Sequence, residues 1–296
     1  MNFKQTSILL ILLLTSSFFI SCTQNDPIAE EDTCVGDNYT ITLGRYIKKM
    51  NRTPVNNQSA VRTSEFTYNE FNLLATEREF TSAYDEEYIF EYQCNNNVSE
   101  MYRDFYTYNS AGEIISFEAE GGSHSYVLTH NGQTILAKGK FMSANQEITL
   151  ELNAANLISK LSRVDSYSTF DYDSDGNLTN AKDYDSNDSL LNAYEIKYDQ
   201  NPNPFYGQLK SAYLVRFIDF FSDSAALGMS NLSASGDDFR FPYLKNNIIS
   251  IEEKTSPAPY KFLLENVFTY DTLNYPTKIK AIANGAYNSD TEYKYY

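Results

Sequence analysis

The amino-acid sequence predicts a mainly all-β protein, an antiparallel β-meander of repeated hairpins with one inserted amphipathic helix. The chain of 296 residues contains 25 Tyr and 19 Phe but no Trp, and aromatic side chains fit the half-buried surface of strands. Aromatic and polar residues alternate in short segments, which is the period of a strand with one buried face. Clusters of Asp, Asn and Gly separate these segments and favour tight turns. We therefore expect successive hairpins to pair into one antiparallel sheet.

The N-terminal residues 1–21 predict a cleaved signal peptide. Lys4 is their only charge, and an apolar stretch follows from Ile8 to Ile20. A membrane-spanning helix needs about 20 consecutive apolar residues, whereas this stretch gives way to polar residues without a basic stop-transfer cluster. We expect the segment to direct export and to be removed.

The cut site, Phe19-Ile20-Ser21-Cys22, resembles a bacterial lipobox, with Phe at the position usually held by Leu. The resemblance implies that Cys22 receives diacylglycerol and becomes the mature N-terminus. The alternative is that Cys22 merely sits near an ordinary signal-peptidase site. About two or three acyl chains would hold the protein on a membrane without a spanning segment. The expected location is the outer membrane, lipid-anchored, on either the cell surface or the periplasmic face.

Residues 22–37 are expected to form a lipidated acidic tether. The run from Asp26 to Asp32 contains four acidic residues, and as a solvated tether it would lift the domain off the bilayer. The run also resembles the acidic stretch after the lipidated cysteine that directs lipoproteins of Bacteroidetes-type bacteria to the outer face of the outer membrane. The sequence supports both interpretations.

Cys34 and Cys94 are the two thiols left once Cys22 is acylated. An oxidising compartment allows them to pair, and closing so long a loop would contribute roughly 4 kcal/mol by restricting the unfolded chain. The alternative is two separately buried, inert thiols, because the sequence does not show whether their Cα atoms approach within about 7 Å.

Residues 38–296 are predicted to form a single β domain built from a repeated unit. The unit is an aromatic residue, any residue, Tyr, Asp or Asn, several turn-forming residues and an aliphatic run, and each copy is interpreted as a β-hairpin. Six copies place a tyrosine just before the turn, namely Tyr68, Tyr92, Tyr108, Tyr172, Tyr198 and Tyr270. The residue two positions earlier should share the tyrosine's face of the sheet, and these partners are Phe66, Phe90, Tyr106, Phe170, Ile196 and Phe268. Degenerate copies lie at residues 128–132, 150–158 and 246–249.

The most specific copy is Phe170-Asp171-Tyr172-Asp173-Ser174-Asp175-Gly176-Asn177-Leu178-Thr179, which resembles the YD repeat of bacterial cell-surface proteins. The other copies, together with the segment from Tyr198 to Tyr206, resemble repeats of lipoproteins of unknown function from Bacteroidetes-type bacteria. The resemblance covers roughly residues 60–296. It implies a curved or partly closed sheet and no activity.

The repeat lapses over an insertion at about residues 205–245. Apolar residues at helical spacing predict an amphipathic helix near residues 208–222, followed by a surface loop over residues 223–238 that is rich in Ser, Gly and Asn. The apolar face of the helix is expected to cap an open end of the sheet, and a ligand groove or partner surface is the alternative. The apolar residues are Leu209, Tyr213, Leu214, Phe217, Phe220 and Phe221.

Asp171, Asp173 and Asp175, followed by Gly176, match the start of a calcium-binding loop. The match ends there, because Lys182 stands at the position where a Glu should close the site. We interpret the three aspartates as turn-forming residues and predict no metal site.

Composition and motifs argue against several functions. The formal net charge of −16 disfavours nucleic-acid binding. With 2 His and 3 Cys, and no phosphate-binding loop, HExxH motif or nucleophile elbow, the sequence predicts no enzyme and no cofactor. The predicted function is a non-catalytic structural or protein-interaction role at the membrane. Glycan binding is the alternative, and it would require a contiguous row of solvent-exposed tyrosines on one sheet face.

Overall fold

In a computed structural model, the chain is described at residues 40–57, 59–141, 144–234, 244–255 and 261–296. These residues belong to one compact unit and form 18 strands. The first nine are β1 (Ile47–Pro54), β2 (Arg62–Tyr68), β3 (Leu74–Phe80), β4 (Asp85–Tyr92), β5 (Val98–Met101), β6 (Asp104–Tyr108), β7 (Ile114–Glu118), β8 (Ser125–Asn131) and β9 (Thr134–Phe141). The others are β10 (Ala144–Leu152), β11 (Ile158–Ser162), β12 (Ser166–Tyr172), β13 (Leu178–Asp185), β14 (Leu190–Pro202), β15 (Asn246–Glu253), β16 (Lys261–Tyr270), β17 (Pro276–Ala283) and β18 (Ala286–Tyr295).

The strands form one antiparallel meander that closes on itself. Each strand pairs with its neighbours along the chain, and β1 pairs with both β2 and β18. The mainly β, antiparallel prediction is confirmed, but the expectation of a partly closed sheet is wrong, because the sheet is a full barrel. Closure pairs the backbone groups that an edge strand would leave free.

Apolar side chains point into the barrel and mostly polar ones point outward. In β2, Phe66 is buried next to the outward-facing Glu65, and in β14 Ile196 is buried between Glu195 and Lys197. The inward side chains and the helices form one apolar cluster. The lumen is therefore a packed hydrophobic core, as expected when apolar surface is removed from water.

The insertion forms two helices rather than the single helix predicted. A short 3₁₀ turn (Lys210–Ala212) leads into α1 (Tyr213–Phe221), and α2 (Ala225–Ala234) follows. Both helices pack inside the barrel. Rings of α1 contact the inward-facing Phe170, with centroids 4.7 Å apart for Phe217 and 5.0 Å for Phe221. The helices therefore fill the lumen, where the sequence predicted a cap over an open end.

Much of the segment predicted as a surface loop is α2. Its Ala225, Met229 and Leu232 are buried, and a Cβ on Gly228 would lie 2.1 Å from a ring carbon of Phe221. The small residues that suggested a loop thus allow two helices to approach closely inside the barrel. Within the described residues, no helix is both long enough and apolar enough to cross a lipid bilayer.

An Asn or Asp side chain shapes five of the turns that follow even-numbered strands. In the first, Asn69 Oδ1 accepts hydrogen bonds from the backbone N–H groups of Phe71 and Leu73, each at 3.0 Å, and Asn72 adopts a φ of 61°. A bulge at Tyr68 accompanies the turn, as in hairpin loops with a left-handed residue. The same arrangement recurs at Asn109, Asn153, Asp173 and Asp271.

The tyrosines before these turns make an equivalent hydrogen bond. The hydroxyl of the tyrosine donates to the backbone carbonyl of the first residue of the preceding strand, at 2.7–3.0 Å. These pairs are Tyr68 to Ile47, Tyr92 to Leu74, Tyr172 to Ile158 and Tyr198 to Leu178. The predicted equivalence is confirmed for these four. Tyr108 packs against the same core, and Tyr270 donates instead to the carboxylate of Asp199.

We expect Tyr92→Phe to lower the free energy of unfolding by about 1 kcal/mol, because it removes the hydrogen bond to the Leu74 carbonyl. Urea denaturation measures the change. Tyr84→Phe is the control, since the Tyr84 hydroxyl binds Glu79 at the surface, and it should change the value by less than about 0.5 kcal/mol. Equal effects of the two substitutions would contradict a structural role for the Tyr92 hydroxyl.

Candidate functional site

The insertion is tied to one end of the barrel, which we call the turn rim. The turn rim consists of the turns at residues 69–73, 93–97, 109–113, 132–133, 153–157, 173–177 and 271–275. Three side chains at the start of the insertion accept backbone N–H groups of strands that begin there. Gln208 accepts from Leu74 at 2.9 Å, Ser211 from Val98 at 2.9 Å, and Tyr213 from Ile158 at 3.0 Å. These bonds fix the insertion across the rim before α1 enters the lumen.

A cleft of about 440 Å³ opens between the insertion and the turn rim. The insertion supplies one wall, from Leu209 to Leu214, and residues of β4, β7, β8, β9 and β10 together with turns of the turn rim supply the other. The volume lies in the range of small-molecule sites, about 300–1,000 Å³. We refer to this feature as the rim cleft.

The rim cleft lies where the repeat is broken. His130 of β8 and Leu152 of β10 stand at the ends of strands where other even-numbered strands carry tyrosine, and both line the cleft. The fourth residue of the five-residue turns is left-handed, and it is glycine at Gly112 and Gly176 and asparagine at Asn72, Asn96, Asn156 and Asn274. The turn after His130 has only two residues, Gly132 and Gln133. The two replaced tyrosines and this shortened turn border the space that forms the cleft.

His130 makes the same hydrogen bond as the tyrosines at the equivalent position of other strands, to the backbone carbonyl of the first residue of the preceding strand. Its Nε2 lies 2.7 Å from the backbone carbonyl oxygen of Ile114, and because a carbonyl only accepts, Nε2 must carry the proton. In the neutral ring, Nδ1 is then an acceptor. It lies 3.9 Å from Oε1 of Glu113, too far for a hydrogen bond. The other carboxylate oxygen of Glu113 accepts from the Asn109 side chain at 2.8 Å.

The predicted lipidation and disulfide sites lie partly outside the described residues. Cys22 and Cys34 are not among them, so the lipidation of Cys22 stays a prediction. Cys94 lies in a turn of the turn rim and is disulfide-bonded. Its partner lies outside the described residues, so the pairing with Cys34 stays a prediction as well.

The three aspartates considered for calcium are engaged separately. Asp173 accepts the backbone N–H groups of its own turn, at 2.9 Å from Asp175 and 2.9 Å from Asn177. The carboxylate of Asp175 pairs with Lys245, and that of Asp171 lies 3.9 Å from Lys182 on the outer face. No group of three His, Cys, Asp or Glu residues suited to a metal occurs within the described part of the chain.

On the outer face of β12 and β13, two tyrosines form a pair rather than the extended row that a glycan platform would require. Tyr167 and Tyr184 stack in adjacent strands with ring centroids 4.9 Å apart. Their next cross-strand neighbours are Ser162 and Leu190. The row therefore ends at two rings at this level of the sheet.

Asp219 is a second titratable group of interest, because it lies on the lumenal helix α1. Its Oδ2 is 3.1 Å from Nη1 of Arg216. Burial raises the pKa of Asp219 from its ordinary value of 3.8 to about 6, while Arg216 opposes the rise and Asp104 adds to it. The folded protein therefore holds a proton on Asp219 that the unfolded chain has already released in mildly acidic solution.

This difference predicts a pH-dependent stability. The contribution of Asp219 to the free energy of unfolding is complete below the unfolded pKa of 3.8 and is lost as pH rises through about 6. Asparagine does not titrate, so the unfolding free energy of Asp219→Asn minus that of wild type should rise by about 2–3 kcal/mol between about pH 4 and pH 7. Urea denaturation of both proteins across this range measures the gain. A difference that stays constant with pH would contradict the raised pKa.

Comparisons with known proteins identify structural similarity but no family. Neither a protein family nor a curated protein matches the sequence. A porin-like protein from Bacteroides uniformis aligns with a TM-score of 0.44 and 12% identity, over 84% of this chain and 98% of that chain. A porin-like protein from Bacteroides vulgatus aligns with a TM-score of 0.32 and 11% identity, over 85% of this chain and 99% of that chain. Similarity at this level supports no inference about function.

The rim cleft was not predicted, although two of the residues that form it are visible in the sequence as departures from the repeat. Two of the degenerate copies, at residues 128–132 and 150–158, contain His130 and Leu152, which line the cleft. Residues that depart from a structural repeat are candidates for function, because positions that break the local structural pattern are often functional sites. The opposing wall comes from an insertion far along the chain, and the sequence alone did not bring the two together.

Proposed function

We propose that this protein is an exported, membrane-anchored lipoprotein with a non-catalytic structural or interaction role. The observation that carries the proposal is the polar outer face of a barrel whose lumen is a packed core. A barrel that spans a membrane presents an apolar band outward and a polar interior. Here the distribution is reversed, so membrane attachment would depend on the acyl chains of Cys22.

Cross-strand ion pairs on the outer face support this proposal. Arg78 and Asp85 pair at 2.6 Å on neighbouring strands, and Lys138 and Glu147 approach to 3.3 Å. Charges such as Lys138, which is 72% exposed, would each cost about 2–4 kcal/mol at the midplane of a bilayer. The outer face therefore suits water, on either side of the outer membrane.

The described chain also supports an orientation on the membrane. Residues 40–46 run along the turn rim, where the backbone N–H of Ile41 donates to Phe71 and Arg45 pairs with Asp271 at 2.7 Å. The tether that precedes residue 40 thus joins the barrel at this end. We place the turn rim, with its cleft, toward the membrane.

Metabolic labelling with a fatty-acid analogue and cell fractionation test the proposal. Wild-type protein should carry the label and remain with membranes, whereas Cys22→Ala should lose the label and leave the membranes without detergent. Cys34→Ala is the matched control and should keep the label. Label that persists in Cys22→Ala would overturn lipidation, and unlabelled protein that still requires detergent would overturn the water-facing exterior.

Glycan binding is the second candidate function, and the rim cleft is the observation that favours it. The outer face offers a pair of stacked tyrosines, Tyr167 and Tyr184, which is a small platform for a polysaccharide chain. The rim cleft instead offers a concave site for a short ligand.

A further inference from the structure

We infer that the rim cleft binds a neutral, hydroxyl-rich small molecule, of the size of one or two linked sugar rings. The inference deepens the proposed non-catalytic role and rests on it, because it assigns the cleft to binding. It differs from the surface-platform form of glycan binding in both place and ligand size.

The first support is that the cleft is built by coordinated departures from the repeat. The tyrosine position is filled by His130 in β8 and Leu152 in β10, and the turn after His130 is shortened to Gly132 and Gln133. His130, Leu152 and Gly132 all line one cavity. A cavity that arose by imperfect packing of a single residue would not require departures in two strands and a turn.

The second support is the mixture of donors and acceptors on the walls. His130 presents Nδ1 as an acceptor, because its Nε2 donates to Ile114. Asn97 and Asn156, which also line the cleft, carry amide groups that can both donate and accept. A hydroxyl group matches such a wall, because it too donates and accepts.

The charges of the walls disfavour ionic ligands. Glu113 lines the cleft, and its carboxylate would repel an anion. A cation would meet Lys210 on the opposite wall. A neutral ligand avoids both repulsions.

The remaining lining is aliphatic. Ile135, Leu152 and Leu214 contribute apolar surface beside the polar groups. A sugar ring presents C–H groups on its faces and hydroxyls at its edge, so it can contact apolar side chains while its hydroxyls reach the polar walls. This combination favours a sugar over a ligand that is polar throughout.

Saturation-transfer difference NMR on the detergent-solubilised full-length mature protein tests the inference. The neutral probes are glucose, galactose, N-acetylglucosamine and cellobiose, and the comparison probes are glucuronate and benzamide. At least one neutral sugar should receive saturation and bind more tightly than either comparison probe. Failure of every sugar, or tighter binding of glucuronate or benzamide, would overturn the inference.

Two variants locate the binding. Gly112→Asn places in the mouth of the cleft a residue that the same turn position accepts elsewhere, and its Cβ would meet Asn97 Nδ2 at an ordinary 3.6 Å. His130→Tyr restores the repeat residue, whose hydroxyl can donate to Ile114 while the Nδ1 acceptor is lost. Each should weaken sugar binding about tenfold or more, equivalent to about 1.4 kcal/mol.

Gly176→Asn is the matched control, because Gly176 occupies the corresponding position of the turn after β12, with a φ of 85°, and does not line the cleft. It should leave the affinity unchanged. If Gly112→Asn and His130→Tyr both bound sugar as tightly as wild type, the sugar would bind elsewhere and the inference would be overturned. Sugar binding is measured on purified protein, so a failure of lipidation or of membrane release in cells would be seen separately.

Discussion

Phe170→Ala is expected to lower the free energy of unfolding by about 3–5 kcal/mol, the range for removal of a buried aromatic ring. Phe170 is 3% exposed and lies where the sheet meets the lumenal helices. Its ring contacts Phe217 at 4.7 Å and Phe221 at 5.0 Å, both nearly edge-on. The substitution would leave a cavity that neither the closed sheet nor a helix fixed at the turn rim can readily fill.

Phe105→Ala is the control for this prediction. Phe105 is also a phenylalanine in a strand, but it faces outward and is 51% exposed, so its removal should change stability by less than about 1 kcal/mol. Chemical denaturation monitored by tyrosine fluorescence measures both variants. Similar losses from Phe105→Ala and Phe170→Ala would contradict the assignment of the lumen as the core.

Local structure could be predicted from the sequence because its causes are local. The Asp or Asn after Tyr68, Tyr108, Tyr172 and Tyr270 binds backbone groups two and four residues ahead, as Asp173 does with Asp175 and Asn177. The alternation that places Phe170 and Tyr172 on one face likewise depends on neighbouring residues. The hairpins, their turns and the inward-facing residues could therefore be predicted from the sequence pattern alone.

Closure and the position of the helices could not be predicted in the same way. Closure depends on the pairing of β1 with β18, for example Met50 with Tyr293, which lie at opposite ends of the sequence. The lumenal position of the helices depends on the width of the closed barrel. An apolar face such as that of Phe217 and Phe221 has the same pattern whether it caps a sheet or fills a lumen.

Predicting the rim cleft would require both the local sequence pattern and the contacts between segments that are distant in the sequence. The degenerate copies around His130 and Leu152 were visible as departures from the repeat, but their meaning was not, because a weak repeat copy and a functional departure look alike. The segment from Leu209 to Leu214 became a wall only through its hydrogen bonds to the strands, such as that from Val98 to Ser211.

The turn between the two lumenal helices is held by a buried network that the sequence did not reveal. Arg163 donates to the backbone carbonyls of Phe221 and Ser222 at the end of α1, and to the Ser168 hydroxyl. Asp183 accepts from that hydroxyl and from the first backbone N–H groups of α2. The positive side chain meets the C-terminus of one helix and the negative side chain the N-terminus of the next, as the helix dipoles favour.

Asp183→Ala should therefore destabilise the protein by about 3–5 kcal/mol, because it removes a buried carboxylate that accepts three hydrogen bonds, and each buried donor left without an acceptor costs about 1–3 kcal/mol. It leaves the N–H groups of Ala225 and Ala226, now 2.7 and 3.0 Å from the carboxylate oxygens, without an acceptor. Asp183→Asn should lose less, since one amide oxygen can still accept. Hydrogen exchange should show the loss first as faster exchange in α2.

Asp171→Ala on the adjacent strand provides the control. Asp171 faces outward and its side chain is 62% exposed, so the substitution should alter stability by less than about 0.5 kcal/mol and leave exchange in α2 unchanged. The network would have no organising role if Asp183→Ala were as stable as Asp171→Ala, or if its exchange increased uniformly over the barrel. Preferential opening of α2 would instead show that a single strand carboxylate holds the helical hairpin in the lumen.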